Sequence, residues 1–294
     1  MNSETSKLIT AIRIPIVVLV VFIHSTVGNI NIQGVQYGEG ELYNFIHEFI
    51  SLGLSGCAVP MFFFISGYLF FVGTEWGVNA YTAKVRKRIR TLLVPYLFWN
   101  TLLLAFFWLM QTCLPSLFSG RHKMIADFSG MDFLMAYWDM GEGFPACGPM
   151  WFVRNLLILV LISFVIHFLM KEKRVGAGML ILMLVVPKSI AGLFFFSLGA
   201  WTAIHQIDFV RLCNNIGKYV VVPYLAVLTW KTVYIVNGGD DANMRTVMSL
   251  LAVMGIVVFV WLTSLCIRGR ELSPAVRFLS ASSFFVYACI RHRY

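Results

Sequence analysis

An arginine and a histidine share the first long apolar segment of the chain. Arg13 and His24 lie within residues 8–28, with ten residues between them. Eleven helical steps of about 100° return to within about 20° of the starting direction, so both side chains share one helix face, roughly 16 Å apart along the axis. Ionisable side chains inside a membrane-spanning segment are costly and usually functional. We therefore expect the pair to line one cavity and carry chemistry. The alternative is an arginine that extends to nearby headgroups and a histidine hydrogen-bonded inside a bundle.

Arg154 is a further candidate for the same site. It follows Trp151 in another apolar segment, about one helical turn below the predicted outer surface and at a depth comparable to that of His24. This depth makes Arg154 a candidate neighbour of His24, the alternative being an arginine that extends outward beside Trp151. Lys231 also lies inside an apolar segment, and without an assigned partner we expect a structural role for it.

The composition is that of a membrane protein with many spans. Of the 294 residues, 59% are hydrophobic and 13% are charged, and the mean hydropathy is +0.78, whereas soluble domains are less apolar and more highly charged. A helix needs about 20 apolar residues to cross a bilayer. The sequence therefore predicts an all-α, polytopic transmembrane helical bundle of about nine spans, with residues 1–294 as a single domain. The convincing segments are 8–28, 52–72, 92–113, 150–170, 190–206, 216–236 and 247–267, and the weaker ones are 175–187 and 275–291.

The net charge of +9 is distributed in short runs between apolar segments. This pattern argues against a nucleic-acid partner, which would require a basic face on a soluble domain. If the N-terminus is inside, the basic residues concentrate in the inner loops, as the positive-inside rule requires. The loop of residues 84–90 is then inside and the loop of residues 114–148 outside. The inner basic residues are Lys84, Arg86, Lys87, Arg88, Arg90, Lys171, Lys173, Arg174, Arg211, Lys218, Arg268, Arg270 and Arg277.

The six cysteines are scattered without the spacing of metal ligands, so we expect no metal site. Cys113 and Cys147 border the same predicted outer segment. A disulfide between them is one alternative in an oxidising compartment. Cys57 is a competing partner, and free thiols that fill apolar space are the other alternative.

Three further motifs follow the first segment in order. Residues 62–68 read Phe-Phe-Phe-Ile-Ser-Gly-Tyr, residues 84–90 form the basic run Lys-Val-Arg-Lys-Arg-Ile-Arg, and residues 150–154 read Met-Trp-Phe-Val-Arg. Together with the Arg-x10-His pattern, their order and spacing resemble the acyltransferase type 3 family of integral membrane acyltransferases. The resemblance covers roughly the first 170 residues in detail and the rest as a helix count.

The resemblance implies transfer of an acyl group, commonly acetyl, from cytoplasmic acyl-CoA to a hydroxyl of a cell-surface polysaccharide or lipid-linked glycan precursor. It implies acyl-CoA, in the first instance acetyl-CoA, as co-substrate, and a glycan or lipid-linked saccharide and membrane lipids as further partners. It also implies a multi-pass protein of the cell membrane, the bacterial inner membrane, with the N-terminus in the cytoplasm.

The resemblance also assigns roles to residues. The catalytic arginine and histidine of the family map onto Arg13 and His24, and its Arg-x-Arg motif maps onto Arg88 and Arg90, with Arg86 in an overlapping register. We expect this basic run to bind the phosphates of CoA, the alternative being a positive-inside anchor. His24 is expected to act as general base, or as nucleophile in a variant of the mechanism. Arg13 would hold the CoA arm, and Arg154 would polarise the thioester oxygen or orient the acceptor. Ser66 and Gly67 would permit close helix packing.

The chain departs from the family pattern near its end. Ile290 follows the segment 284–287 where the family usually has a histidine and further chain, so a missing last helix and an inactive, truncated acyltransferase-like protein is one alternative. A secondary transporter or flippase, in which Arg13 binds an anion and His24 carries protons, is another. The paired inverted repeats typical of many transporters are not evident in the sequence.

Overall fold

The computed structural model describes residues 3–24, 30–32, 35–37, 40–73, 76–118, 123–140, 143–185, 192–240 and 244–288. Within these residues the regular structure is helical, apart from a short antiparallel hairpin of β1 (Ile30–Ile32) and β2 (Val35–Tyr37) in which Ile30 pairs with Tyr37. The predicted all-helical membrane fold is confirmed in this coarse form. The chain divides into two compact units, Met1–Thr74 with Phe164–Tyr287 and Glu75–Ser163 with Ala288–Tyr294.

Helix α1 (Ser3–Ile23) is embedded in the first unit. It buries Leu8, Ile12, Ile16 and Val20, whose spacing of four residues places them on one side of a helix. This side packs against the helical segments that contain residues 47–71 and 245–267. The remaining side includes half-buried Arg13.

The second span changes its helical type along its length. It begins as α2 (Glu41–Ile46), widens into a π-helix (His47–Gly53), narrows into a 3₁₀-helix (Leu54–Cys57) and ends as α3 (Ala58–Phe71). This continuous run starts eleven residues before the predicted segment 52–72. The apolar pattern stops at Glu48, but the structure buries that carboxylate against Lys231, so the charge does not end the helix.

The first unit also contains α7 (Ser163–Met170) and α8 (Lys173–Val185), which precede α9 (Leu193–Ile204). Helices α3 and α9 make the most extensive contact between helices in this unit. Their backbones meet at two glycines, since a Cβ on Gly67 would overlap the carbonyl oxygen of Phe196 and one on Gly199 would overlap that of Phe64. The expectation of close packing at Gly67 is therefore confirmed.

Helices α10 (Phe209–Val236) and α11 (Arg245–Ile267) form the other large contact of the first unit. Tyr224 and Leu228 of α10 pack with Leu251 and Val258 of α11 in a buried apolar cluster. Helix α12 (Pro274–Ala288) follows. Residues 289–291 of the predicted last segment lie outside the described residues.

The second unit is built on α4 (Val78–Cys113), with α5 (Gly130–Trp138) and α6 (Trp151–Leu161) packed against it. Asn100 is fully buried in α4, and its side-chain oxygen accepts a hydrogen bond of 2.8 Å from the backbone amide of Cys147. Near the start of α4, the hydroxyl of Tyr81 donates to the carbonyl of Leu161 at 2.7 Å. These bonds fix the two helices and the segment before α6 to one another.

Two predicted loops contain helices instead. The basic residues 84–90 lie inside α4, because residues 78–94 include no glycine or proline and are rich in alanine, leucine, lysine and arginine, which favour helix. Residues 114–148 include α5, whose first turn has a capping box between Ser129 and Asp132. A hydrogen bond from Lys123 and another from Ser129 lower the pKa of the Asp132 carboxyl well below its ordinary value of 3.8.

The predicted count of nine spans is not confirmed. Among the described residues, five helical runs are long and apolar enough to cross a membrane, and a bent pair, Gly148–Leu161 with Ser163–Met170, raises the number to six if it forms one span. Helices α8, α9 and α12, with 13, 12 and 15 residues, coincide with predicted segments but are shorter than a bilayer requires. The five runs are Ser3–Ile23, Leu42–Phe71, Val78–Cys113, Phe209–Val236 and Arg245–Ile267.

The described cysteines all have free thiols, so neither disulfide alternative is present in the structure. Cys113 is exposed at the end of α4, whereas Cys147 is buried before α6. Cys289 lies outside the described residues.

Candidate functional site

Arg13 and His24 occupy different kinds of position relative to α1. Arg13 is inside α1, whereas His24 directly follows its last residue, Ile23. The backbone amide of His24 donates to the carbonyl of Val21 at 3.1 Å, which closes a final tight turn. The helix thus ends earlier than the predicted segment 8–28, and residues 25–29 lie outside the described residues. The C-terminal position matters chemically, because carbonyls of a last helical turn stabilise positive charge.

Pro15 of α1, for which no role was predicted, lies between Arg13 and His24 in the sequence. Proline has no amide hydrogen and cannot donate to the carbonyl four residues earlier, which is that of Ala11. Proline inside a helix therefore leaves a polar backbone atom available and allows a bend. The signal was present in the sequence Arg-Ile-Pro at residues 13–15.

A buried ion pair is a second feature that was not predicted from the sequence. The Lys231 ammonium of α10 donates to the Glu48 carboxylate of the π-helix, and the two side chains are only 3% and 9% exposed. This pairing assigns Lys231 the partner that the sequence left open. Glu48 was visible in the sequence Phe-Ile-His-Glu-Phe-Ile at residues 45–50, where a single carboxylate interrupts an apolar run.

Arg154 is held by the backbone of its own unit. Its guanidinium donates to the carbonyl of Trp138, at the end of α5, and to that of Gly143 at 2.9 Å. It also lies 5.3 Å from the centre of the Trp138 ring, within cation–π range, and its Nε donates to Asn155 at 3.3 Å. Arg154 therefore fastens the segment after α5 to the first turn of α6.

The helical conformation of the basic run divides its cations between two sides of α4. Arg86 and Arg90 are one helical turn apart and exposed, whereas Arg88 is half-buried with Lys84 one turn before it. Positions two apart in a helix differ by about 200°, so Arg88 points away from the other two arginines. The predicted Arg-x-Arg pair thus does not form one flat cationic surface.

The predicted residues divide between the two compact units. Arg13 and His24 belong to the first, and Arg154, Arg86, Arg88 and Arg90 belong to the second. In the described part of the chain, no group of three or more histidine, cysteine, aspartate or glutamate side chains is arranged to hold a metal ion. The chemistry within the first unit is thus that of a cation and an imidazole separated along α1. It suits binding of an anion at one place and proton transfer at another.

The family model described as an acyltransferase domain matches residues 8–289. The chain belongs to the acyltransferase type 3 family. Membership extends the resemblance from the first part of the sequence to nearly its whole length, and the match covers most of both compact units. No curated protein matches the chain, and no solved structure does.

Proposed function

We propose that this family member transfers an acyl group, acetyl in the first instance, from cytoplasmic acyl-CoA to a hydroxyl of a cell-surface polysaccharide or lipid-linked glycan precursor. The observation that carries the proposal is the family match over residues 8–289, which begins within the helix that contains Arg13 and that ends directly before His24. On this proposal residues 1–294 act as one domain in the bacterial inner membrane, and the reaction needs no metal.

His24 is proposed as the general base. Its imidazole removes the proton of the acceptor hydroxyl while the oxygen attacks the thioester carbonyl, and the C–S bond then breaks. The proton passes from the imidazolium to the departing CoA thiolate, which leaves a new ester and free CoA. The position of His24 at the C-terminal end of α1 supports this role, because the last-turn carbonyls favour the positive charge that the ring acquires. An acyl-histidine intermediate is a variant of the same step.

Arg13 is proposed to hold the CoA arm within the first unit. Eleven helical steps separate it from His24, roughly 16 Å along the axis, which suits an extended pantetheine arm between the nucleotide and the thioester. A guanidinium keeps its charge under all physiological conditions and can bind a phosphate through two parallel hydrogen bonds. An intramembrane arginine is costly and usually functional, which supports a binding role for Arg13.

The exposed arginines of α4 are proposed to attract the phosphates of the donor. Arg86 and Arg90 share one face of the helix and present two guanidinium groups one turn apart. Half-buried Arg88 takes part from the opposite side of α4. Substitution of Arg86 and Arg90 by alanine should raise the donor concentration needed for half-maximal rate more than substitution of Arg88 and Lys84. An unchanged donor requirement in a stably inserted variant that lacks Arg86 and Arg90 would leave the run as a membrane anchor.

Arg154 is proposed to orient the acceptor by ordering the outer segment. Its guanidinium is already engaged by two backbone carbonyls and the Trp138 ring. We therefore assign it a positioning role on the acceptor side. Arg154→Lys keeps the positive charge but loses the planar arrangement of several hydrogen-bond donors. It should raise the acceptor concentration needed for half-maximal rate and leave the donor concentration unchanged.

The proposed orientation places the N-terminus in the cytoplasm. The start of α1 and the end of α11 lie at the same end of the first unit, because the Lys7 ammonium donates to the carbonyls of Ile267, at 3.2 Å, and Arg270. The start of α10 lines the same cavity as Lys7. Lysine and arginine concentrate at this end, which supports a cytoplasmic location by the positive-inside rule.

This arrangement constrains the number of crossings. Since α1 and α10 begin at the same end, an even number of crossings separates them. Helix α1, the run Leu42–Phe71 and α4 supply three, so an odd number of crossings remains for the bent pair, α8 and α9. We assign the fourth crossing to the bent pair Gly148–Leu161 and Ser163–Met170. Helices α8 and α9 then cross either both or not at all, and nine spans result if α8, α9 and α12 all cross. In a cysteine-free background, an impermeant reagent outside the cell should label Ser119→Cys and spare Thr82→Cys, and the reverse pattern would contradict the orientation.

The function itself is tested by supplying purified protein in nanodiscs with acetyl-CoA labelled in the acetyl group. We expect slow release of labelled acetate without acceptor, and label in the polymer fraction when cell-envelope glycans are added. Absence of both reactions, in protein that retains its helical spectrum, would exclude acyl transfer in favour of a transporter or an inactive family member.

A further inference from the structure

A cavity of about 480 Å³ opens at the end of the first unit where α1 begins and α11 ends. Its floor includes the buried apolar residues Leu8 and Val210, and its wall includes Trp261. Its rim is polar and carries Glu4, Lys7, Asn214 and Arg268. The volume lies in the range of small-molecule sites, and an apolar floor with a few polar groups at the rim is typical of them. Neither the family resemblance nor the proposed roles of Arg13 and His24 assigns a function to this cavity.

The aromatic wall is held in place by the helix beside it. A Cβ on Gly217 of α10 would overlap the root of the Trp261 side chain, so the indole packs directly on the glycine backbone. Gly217 is buried, while Trp261 remains partly exposed to the cavity that it lines. An indole fixed at its root, with surface left toward a cavity, is a platform on which a planar heterocycle can stack.

The polar groups at the rim have unused hydrogen-bonding capacity. The Lys7 ammonium carries three donors and gives two bonds, to the carbonyls of Ile267 and Arg270. The hydroxyl of Ser264 is buried and has no hydrogen-bond partner among the described residues, although it lines the cavity. Buried polar atoms are nearly always hydrogen-bonded. The hydroxyl of Ser264 is therefore available to a molecule that occupies the cavity.

The charges of the rim select among anionic ligands. Lys7 and Arg268 attract phosphate, whereas the carboxylate of Glu4 repels it and accepts hydrogen bonds from amino groups. A simple phosphate would leave Glu4, Asn214 and Trp261 unused. A ligand with an amino-bearing planar ring at one end and phosphate at the other uses all of these groups.

We propose that this cavity binds a purine nucleotide, with the base stacked on Trp261 and the phosphates at Lys7 and Arg268. The amide of Asn214 and the carboxylate of Glu4 hydrogen-bond the edge of the base. The nucleotide has two sources, the nucleotide end of the acyl donor or a free nucleotide that regulates the protein. The first source rests on the function proposed above, and the second does not.

Binding of radiolabelled ADP to the full chain, in nanodiscs of zwitterionic lipid, tests the site without an activity assay. ADP should bind the wild type. Trp261→Leu keeps an apolar side chain on Gly217 and should weaken ADP at least about fivefold, the loss expected for one stacked base, with no change in pyrophosphate binding. Arg268→Gln should weaken both ligands. Lys218→Gln removes an exposed cation of α10 that does not line the cavity, and it should bind ADP as the wild type does.

Competition by CoA identifies the source. If CoA displaces ADP and Trp261→Leu raises the donor requirement for transfer, the cavity binds the nucleotide end of the donor. If CoA does not displace ADP, the cavity binds a free nucleotide. Three results would each overturn the proposal. They are absence of ADP binding to the wild type, ADP binding that is unchanged in both cavity variants, and displacement of ADP by equimolar pyrophosphate. Acyl transfer that persists in such a case would leave the proposed function intact. ADP binding without any acyl transfer would refute that function alone.

Discussion

Loss of one partner of the buried ion pair should destabilise the first unit strongly. Lys231 and Glu48 are 3% and 9% exposed, so Lys231→Met leaves a carboxylate in the interior without its counter-charge. Removal of one partner from a buried pair costs about 3–5 kcal/mol, whereas replacement of both by neutral groups is often nearly neutral. We expect Lys231→Met to lower the unfolding midpoint sharply and Lys231→Met with Glu48→Gln to recover most of the loss.

The assay is thermal unfolding of purified protein in mild detergent, followed by tryptophan fluorescence and by circular dichroism. Lys218→Met is the matched control, because it removes an exposed lysine from the same helix and should change stability by less than about 0.5 kcal/mol. Equal midpoints for Lys231→Met and Lys218→Met would refute the pairing. A double variant less stable than Lys231→Met would show that the two groups do not act as a pair.

Three other outcomes follow from the packing and polar contacts. Gly67→Ala should cost about 1–3 kcal/mol because the methyl group meets the backbone of α9, whereas Gly178→Ala, with open space around it in α8, should be neutral or stabilising in the same unfolding assay. Because the folded-state pKa of Asp132 is depressed, its stabilising contribution is present above the ordinary value of 3.8 and disappears as the pH falls below it. The difference in unfolding midpoint between wild type and Asp132→Asn should therefore shrink on acidification. Arg154→Ala should speed hydrogen exchange near Trp138 and Gly143, whose carbonyls it holds, and unchanged exchange there would contradict that role.

The sequence predicted those parts of the fold that depend on apolar segments. Gly67 could be assigned a close helix contact because small residues permit it, and the α9 backbone lies at that position. The helical state of residues 84–90 was missed because charge was interpreted as a sign of a loop. Helix propensity favours lysine and arginine in that state, and Tyr81 anchors the start of α4 to the end of α6.

Other features could not be predicted because they depend on contacts between distant segments. Glu48 and Lys231 are separated by 183 positions, and no local sequence pattern around either residue identifies its partner. The same holds for the carbonyls that Arg154 binds and for the cavity at the start of α1, which three separate segments line. The predicted number of spans was not confirmed for a different reason. Some apolar segments form helices that are too short to cross a bilayer, so apolar composition alone gives a higher count than helix length does.

The most direct test of the central claim compares His24→Ala with Arg13→Ala, at matched levels in nanodiscs, for transfer of labelled acetyl from acetyl-CoA and for binding of acetyl-CoA. If His24 is the base and Arg13 holds the donor, both variants lose transfer, and only Arg13→Ala loses most of its affinity for acetyl-CoA. Full transfer by His24→Ala would contradict the assignment of His24 as the general base.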